Sequence, residues 1–140
     1  MSEKIVVDLE VDTNDQWFAF IWVKIRDRIT QVRFKIDTGC NALVISHSTL
    51  KNLGFSASAE NLAMLHGEIG RLASGEKSKF RSLGEVALFL DKKQSIHVCT
   101  AQAICHATHE TNDLLGTKVL KQFFGINFNL ACDKYMELLK

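Results

Sequence analysis

The chain has 140 residues, 46% of them apolar and 24% charged, which is the balance of an ordinary folded protein at a length that buries a core without disulfides or metal. Seventeen basic against sixteen acidic side chains leave a formal charge of +1, so no net field recruits nucleic acid or an anionic membrane, and neither is expected as a partner. The longest apolar run, 17–23, is far too short to span a bilayer, and the cysteines at 40, 99, 105 and 132 form no CxxC pair; free thiols in a reducing, cytoplasmic setting are expected.

Residues 4–11 alternate apolar and polar, 12–15 read Asp-Thr-Asn-Asp, and 17–25 are rich in aromatic and β-branched side chains, so two half-buried strands are expected. Arg26-Asp27-Arg28 then separates that second strand from 29–36, where Ile29, Val32, Phe34 and Ile36 mostly keep a period of two. A hairpin delivers the chain to Asp37. After Asp37-Thr38-Gly39-Cys40 comes a short apolar strand, 42–45, and then a segment, 46–54, with serines at its start and Gly54 at its end, the signature of one or two helical turns.

The middle of the chain, 62–90, carries Gly67, Gly70, Gly75 and Gly84 between β-prone stretches, and Ala73-Ser74-Gly75 among charged Arg71, Glu76 and Lys77 reads as the tip of a long exposed hairpin. Further strands are expected at 84–90 and 95–104 around Asp91-Lys92-Lys93, followed by a polar loop over 106–112. Helical spacing returns at 117–124, with Gly125 placed to end the helix, and two short strands close the sequence. No internal repeat and no linker divides it, so one domain over 1–140 is expected, mainly β with one or two short helices.

The chemistry-bearing feature is Asp37-Thr38-Gly39. Alone the triplet is weak, since residue frequencies place a D-T/S-G in roughly one of fifteen chains of this length, and an ordinary turn opened by aspartate explains it equally well. Context raises it: a β-patterned run leads straight into Asp37 and an apolar stretch follows at once. A carboxylate so placed needs hydrogen-bonding partners, and Thr38 and Gly39 can offer a hydroxyl and an unobstructed amide. Downstream, Asp113-Leu114-Leu115-Gly116-Thr117 marks a strand-to-helix junction.

Taken in order, WVKIRDRITQVRFKIDTGCNALVIS, RLASGEKSKF, GEVALFL, SIHVCTAQAI, DLLGTKVLKQF and the closing INFN and YMELL segments resemble the retroviral-type aspartic proteases, the retropepsin family. That family's pattern is a strand, D-T/S-G, a short apolar strand, a glycine-bearing flap hairpin, then two apolar residues, glycine and a helix. The resemblance covers 17–138 and implies a closed β-barrel or sandwich with a flap. It implies an aspartic endopeptidase in which Asp37 and its mate from an identical chain hold the attacking water, Thr38 bonds across the pair and Gly39 shapes the loop. Because 140 residues carry a single triplet, a C2 homodimer acting on polypeptides is implied. Ala73, Ser74 and Gly75 would be the flap that closes on the substrate. Two departures stand out: Cys40 occupies a position usually alanine or serine, and 56–70 is longer than in a minimal member. The alternative within the same fold is a weakly active or inactive dimerisation or peptide-binding module.

His97, Cys99, Cys105, His106 and His109 crowd thirteen residues and could suggest zinc. However, His97 and Cys99 alternate with Ile96 and Val98 along an expected strand, and cysteine is often a small buried residue. No metal and no cofactor is expected.

Overall fold

The computed structural model describes residues 3–55, 68–71, 77–106 and 109–140. Alternation decides the first strands. β1 (Lys4–Val11) buries Ile5, Val7 and Leu9, β2 (Trp17–Ile25) buries Ala19, Ile21, Val23 and Ile25, and β3 (Arg28–Ile36) buries Val32 and Phe34. The antiparallel register sets Ala19 opposite Phe34 and Ile21 opposite Val32, so a single face of the hairpin goes inward.

The remaining elements are β4 (Leu43–Val44), α1 (His47–Asn52), β5 (Glu68–Arg71), β6 (Lys77–Phe89), β7 (His97–His106), β8 (Leu114–Leu115), α2 (Thr117–Leu120), β9 (Gly125–Asn129) and β10 (Tyr135–Leu139). Strands β2, β3, β8, β4, β7 and β6 are neighbours in that order, and β6 returns to β2 through Trp22–Phe89, Val23–Leu88 and Lys24–Ala87. The six therefore close into a barrel, which leaves those strands no open edge. Its interior is filled by Ile21, Val23, Phe34, Leu43, Leu88 and Leu115, each almost wholly buried. Burying such side chains stabilises the fold by about 1.5–3 kcal/mol apiece. A smaller antiparallel sheet, β1–β10–β9, continues from β2, with residues 4–8 of β1 on β10 and 9–11 on β2. The fold is mainly β with two short helices, as the sequence leads one to expect. Among the described residues no helix is long and apolar enough to cross a membrane.

Two details differ from the sequence reading. The strand expected at 84–90 is the second half of a single 13-residue strand, β6. Gly84 does not start it but bends it: with φ +73 it sits at a register shift opposite Ala103 and Ile104, a bulge that a glycine accommodates. The helix expected over 117–124 stops at Leu120, and Gly125 begins β9 rather than ending the helix. The amides of Gln122 and Phe123 turn back to Val119 and Leu120, and that of Phe124 is captured by the Leu139 carbonyl at 2.6 Å, so a strand pairing overrides local helical spacing. The expected hairpin pairs antiparallel through β5 and β6, from Arg71–Lys77 to Glu68–Phe80, and its expected tip, Ala73, Ser74 and Gly75, lies outside the described residues.

Helix α1 matches its caps. The Ser46 hydroxyl accepts the Thr49 amide at 3.1 Å, and Gly54, at φ +85, follows the helix and donates to Lys51 at 2.9 Å, a left-handed C-terminal stop. Two carboxylates from the loop before β8 hold the front of this helix. Glu110 accepts the amides of His47 (2.8 Å) and Ser48 (3.0 Å) and the Ser48 hydroxyl. Asp113 accepts the Ser46 amide (2.7 Å), the Ser46 hydroxyl (3.1 Å) and the Thr49 hydroxyl (2.9 Å). The two differ in acidity. Burial raises Asp113 above the usual aspartate range in spite of its three bonds. For Glu110 partial burial also raises, but the bonds from Ser48, Thr111 and His47 outweigh it and the carboxyl is held below its usual range.

The sign of each linkage follows. Glu110, depressed on folding, stabilises above its unfolded value, and that contribution is lost as pH falls through the folded one. Asp113, raised on folding, contributes most below its unfolded value and loses this as pH rises through the folded one. Glu110→Gln is therefore expected to lower stability at neutral pH by about 0.5–1 kcal/mol, the scale of an exposed charge at a helix N-terminus. Paired urea titrations of wild type and variant check it, and the gap should close below the ordinary glutamate range.

Candidate active site

Asp37 stands where β3 runs out. The parallel ladder between β3 and β8 continues one step beyond the strand: Lys35 donates to the Asp113 carbonyl at 2.9 Å and Asp37 to the Leu115 carbonyl at 3.2 Å. The triplet then turns tightly. The Cys40 amide reaches back to the Asp37 carbonyl at 3.2 Å, and the Gly39 amide donates to Asp37 Oδ1 at 3.0 Å. A β-carbon on Gly39 would lie 3.3 Å from that same oxygen, so glycine lets the amide and the carboxylate close on each other without displacement. Among the described residues Oδ2 of Asp37 has no hydrogen-bond partner within the chain.

The carboxylate is positioned by a crossing of two segments. Residues 40–42 pass over the front of α2, where the Thr117 amide donates to the Cys40 carbonyl at 2.9 Å and the Lys118 amide to the Asn41 carbonyl at 2.8 Å. The Thr117 hydroxyl adds a bond to Asn41 Oδ1 at 3.2 Å. These carbonyls replace a side-chain cap, which α2 lacks. The approach is so close that a β-carbon on Gly116 would sit 2.3 Å from the Ala42 carbonyl oxygen and 2.6 Å from that of Cys40. Sequence reading finds Asp113-Leu114-Leu115-Gly116-Thr117 as a junction; it gives no reason for the glycine and misses the bond from Thr117 to Asn41. The polar pair is an Asn after the triplet and a Thr after the downstream glycine, a signal visible only once the two segments are known to meet.

The flanking strands are buried, with Phe34, Leu43 and Ile45 fully so, but the triplet itself is at the surface. Asp37 is half-buried, and Thr38 and Gly39 are exposed. Among the described residues the Thr38 hydroxyl makes no bond within the chain. Cys40 is half-buried, its Sγ 3.6 Å from the Ala42 carbonyl. Burial pushes this thiol up, the contact with Ala42 draws it back, and the Asp37 charge raises it again. The thiol therefore stays protonated at neutral pH and is a poor nucleophile. Two shallow hollows lie elsewhere, one around Phe18, Arg33, Ser48 and Asp113, the other around His97, Cys99, Gln122 and Lys140; neither includes the triplet.

Of the histidines and cysteines weighed as zinc ligands, His97, Cys99, Cys105 and His106 are spread along β7 and His109 lies beyond its end. His97 is at one end, its Nε2 2.9 Å from the Thr100 hydroxyl; Cys99 and Cys105 are buried, the thiol of Cys99 pushed up to about 11 by burial. His106 is buried at the far end, where its Nδ1 accepts the His109 amide at 2.8 Å. Among the described residues no three His, Cys, Asp or Glu side chains come together as metal ligands.

No family model and no curated protein matches the sequence. Among solved structures the chain is similar to a retropepsin-like aspartic protease from Rickettsia conorii, with a TM-score of 0.57 over 99% of this chain and 94% of that one. Sequence identity is 14%, so what the two share is the fold.

The crossing at Gly116 yields a test. Gly116→Ala forces a backbone oxygen apart from a new methyl group and should lower stability by about 1–3 kcal/mol or more. Thr117→Val, which removes only the bond to Asn41, should lose about 0.5–1.5 kcal/mol. Denaturant midpoints of the two variants check the ranking, which reverses if the hydroxyl rather than the close approach holds the crossing.

Proposed function

We propose that this chain is one half of an aspartic endopeptidase, with Asp37 as the catalytic carboxylate. The observation that carries the reading is the state of Asp37. It is half-buried at the surface, anchored through one oxygen by the Gly39 amide and fixed in the backbone by Leu115, and among the described residues its second oxygen has no partner. Such a group is oriented for work outside its own chain. Hydrolysis of a peptide bond by carboxylates needs two of them a few ångströms apart, one to take a proton from water and one to polarise the scissile carbonyl. Two carboxyls that close cannot both be ionised, because like charges repel, so the pair shares a single proton and supplies both states at once. This chain holds one D-T/S-G triplet, so the second comes from an identical copy related by a two-fold axis.

In that arrangement each triplet serves one role per residue. Asp37 and its mate bind and activate the water, the exposed Thr38 hydroxyl bonds across the two-fold, and Gly39 keeps the loop narrow enough for the two carboxylates to meet. Ala73, Ser74 and Gly75, between paired β5 and β6, form the flap that excludes water from the bound peptide. The substrate is a polypeptide in extended form, and no cofactor is required. The surface can support a second copy: β9 is an edge strand reading Gly-Ile-Asn-Phe-Asn, without the charge or proline that usually blocks edge pairing. Phe124 beside it is 91% exposed and Phe128 on it 40%.

Asp37→Asn is expected to lower peptide cleavage by at least about a hundredfold, the usual effect of losing a general acid or base, with stability within about 0.5 kcal/mol of wild type. Cleavage that survives the change rules out Asp37. Sedimentation equilibrium on the wild-type chain should give twice the monomer mass at working concentration. A strictly monomeric, inactive chain would favour a peptide-binding module on the same fold. Because the proposed reaction needs one carboxyl protonated and the other ionised, activity against pH should be bell-shaped.

A further inference from the structure

The side chains that share a face with Asp37 are set by the β3–β8 ladder. Lys35 and Asp37 donate to successive alternate carbonyls of one neighbouring segment, Asp113 and Leu115. They are therefore two residues apart in one extended stretch and project from the same face, about 7 Å apart. The partner of Lys35 on β8 is Leu114, itself half-exposed, and its partner on β2 is Phe18, which is buried.

The charges around this face are otherwise committed. Arg33, the next cation along β3, is 2.5 Å from Glu10 and lies over the Phe18 ring. Glu110 and Asp113 are spent on the front of α1. Lys35 is half-buried, yet among the described residues no carboxylate comes within 4.0 Å of its ammonium. An unpaired surface lysine is ordinary; one that is partly desolvated and two residues from the proposed catalytic aspartate is placed to be paired by something else.

We propose that Lys35 is a specificity-determining residue that selects an acidic side chain close to the scissile bond. The inference rests on the protease reading. A peptide that presents its carbonyl to Asp37 in extended form repeats its side chains on one face every 7 Å or so, which matches the spacing from Asp37 to Lys35. Leu114 takes the aliphatic part of such a side chain and the ammonium takes its carboxylate. Because each half of a two-fold pair supplies one Lys35, the preference appears on both sides of the bond, at equal separation from it.

The test is a set of peptides carrying Glu, Gln or Lys in turn at each position flanking the bond, cleaved by wild type and by Lys35→Met, Lys35→Glu and Lys35→Arg. Glu is expected over Gln by about fivefold or more in kcat/KM, the scale of one partly exposed ion pair. The preference should reside mainly in KM, occur symmetrically about the bond and weaken in high salt. Lys35→Met should abolish it, Lys35→Glu should reverse it in favour of Lys, and Lys35→Arg should keep it. Ratios within one variant are compared, so a general loss of stability does not mimic the effect. Asp37-dependent cleavage with equal rates on Glu and Gln peptides, or a preference that survives Lys35→Met, overturns the role of Lys35 and leaves the protease reading standing. Absence of any Asp37-dependent cleavage overturns both.

Discussion

The close approach of residues 40–42 to the front of α2 is the contact on which the rest of the barrel floor depends. No β-carbon fits at Gly116, and because none is there, the Cys40 and Asn41 carbonyls come within hydrogen-bond reach of the Thr117 and Lys118 amides. That contact pins β8 in the slot between β3 and β4. The two strands it stabilises are two residues long each, too short to persist on ladder bonds alone. They persist because Leu43, Val44 and Leu115 are buried and because both strands are paired on two sides, β4 with β7 and β8, β8 with β4 and β3. The Asp37 amide takes its direction from the last carbonyl of that slot. The backbone that carries the carboxylate is thus held by a segment almost eighty residues further along the chain, while the Gly39 amide beside it orients one oxygen.

How much of this is legible depends on whether the deciding partner is local. The first three strands follow from alternation within each, and α1 from Ser46 and Gly54, which cap it within a turn of its ends. Helix α2 reads too long because Phe124 finds Leu139, whereas Val119, Leu120 and Phe123 carry a helical spacing that nothing nearby contradicts. Gly84 reads as the start of a strand because a glycine in sequence looks the same at a boundary and at a bulge; only the register with β7 tells them apart. Asp113 and Glu110 look like loop acids, since the helix they hold is more than sixty residues earlier. The triplet is legible as a motif, but its exposure is not. Both flanks are apolar, and sequence alone does not show that the turn lifts Asp37 out of the core they build.

Incomplete satisfaction, not exposure, distinguishes Asp37 from the other acids near it, since Glu110 is exposed and Asp113 is half-buried as Asp37 is. Glu110 and Asp113 accept backbone amides as well as hydroxyls, which is how a structural carboxylate satisfies its lone pairs. Among the described residues Asp37 accepts one amide and keeps an oxygen in hand. A carboxylate fixed in direction but incompletely satisfied loses little conformational freedom when it takes up a water or a second carboxyl, because that freedom has been removed already. A mobile surface aspartate of equal exposure would have to be ordered first.

The same turn holds a second group with chemistry of its own, the Cys40 thiol, and the two are set against each other. Any thiolate at Cys40 would form beside the Asp37 carboxylate and in a half-buried site, so both the loss of solvent and the neighbouring charge oppose it. Keeping the sulfur neutral removes a competing anion from the face on which the proposed dyad must carry a single negative charge. A lysine two residues before the aspartate, on the same face of the extended stretch, adds a positive charge beside it. On this reading the residues flanking the triplet do not take part in bond cleavage. They determine the field in which two carboxyls can approach each other, and so where along β3 a functional aspartate could stand: at the open end beyond the buried run, where Gly39 clears the space and Gly116 holds the floor.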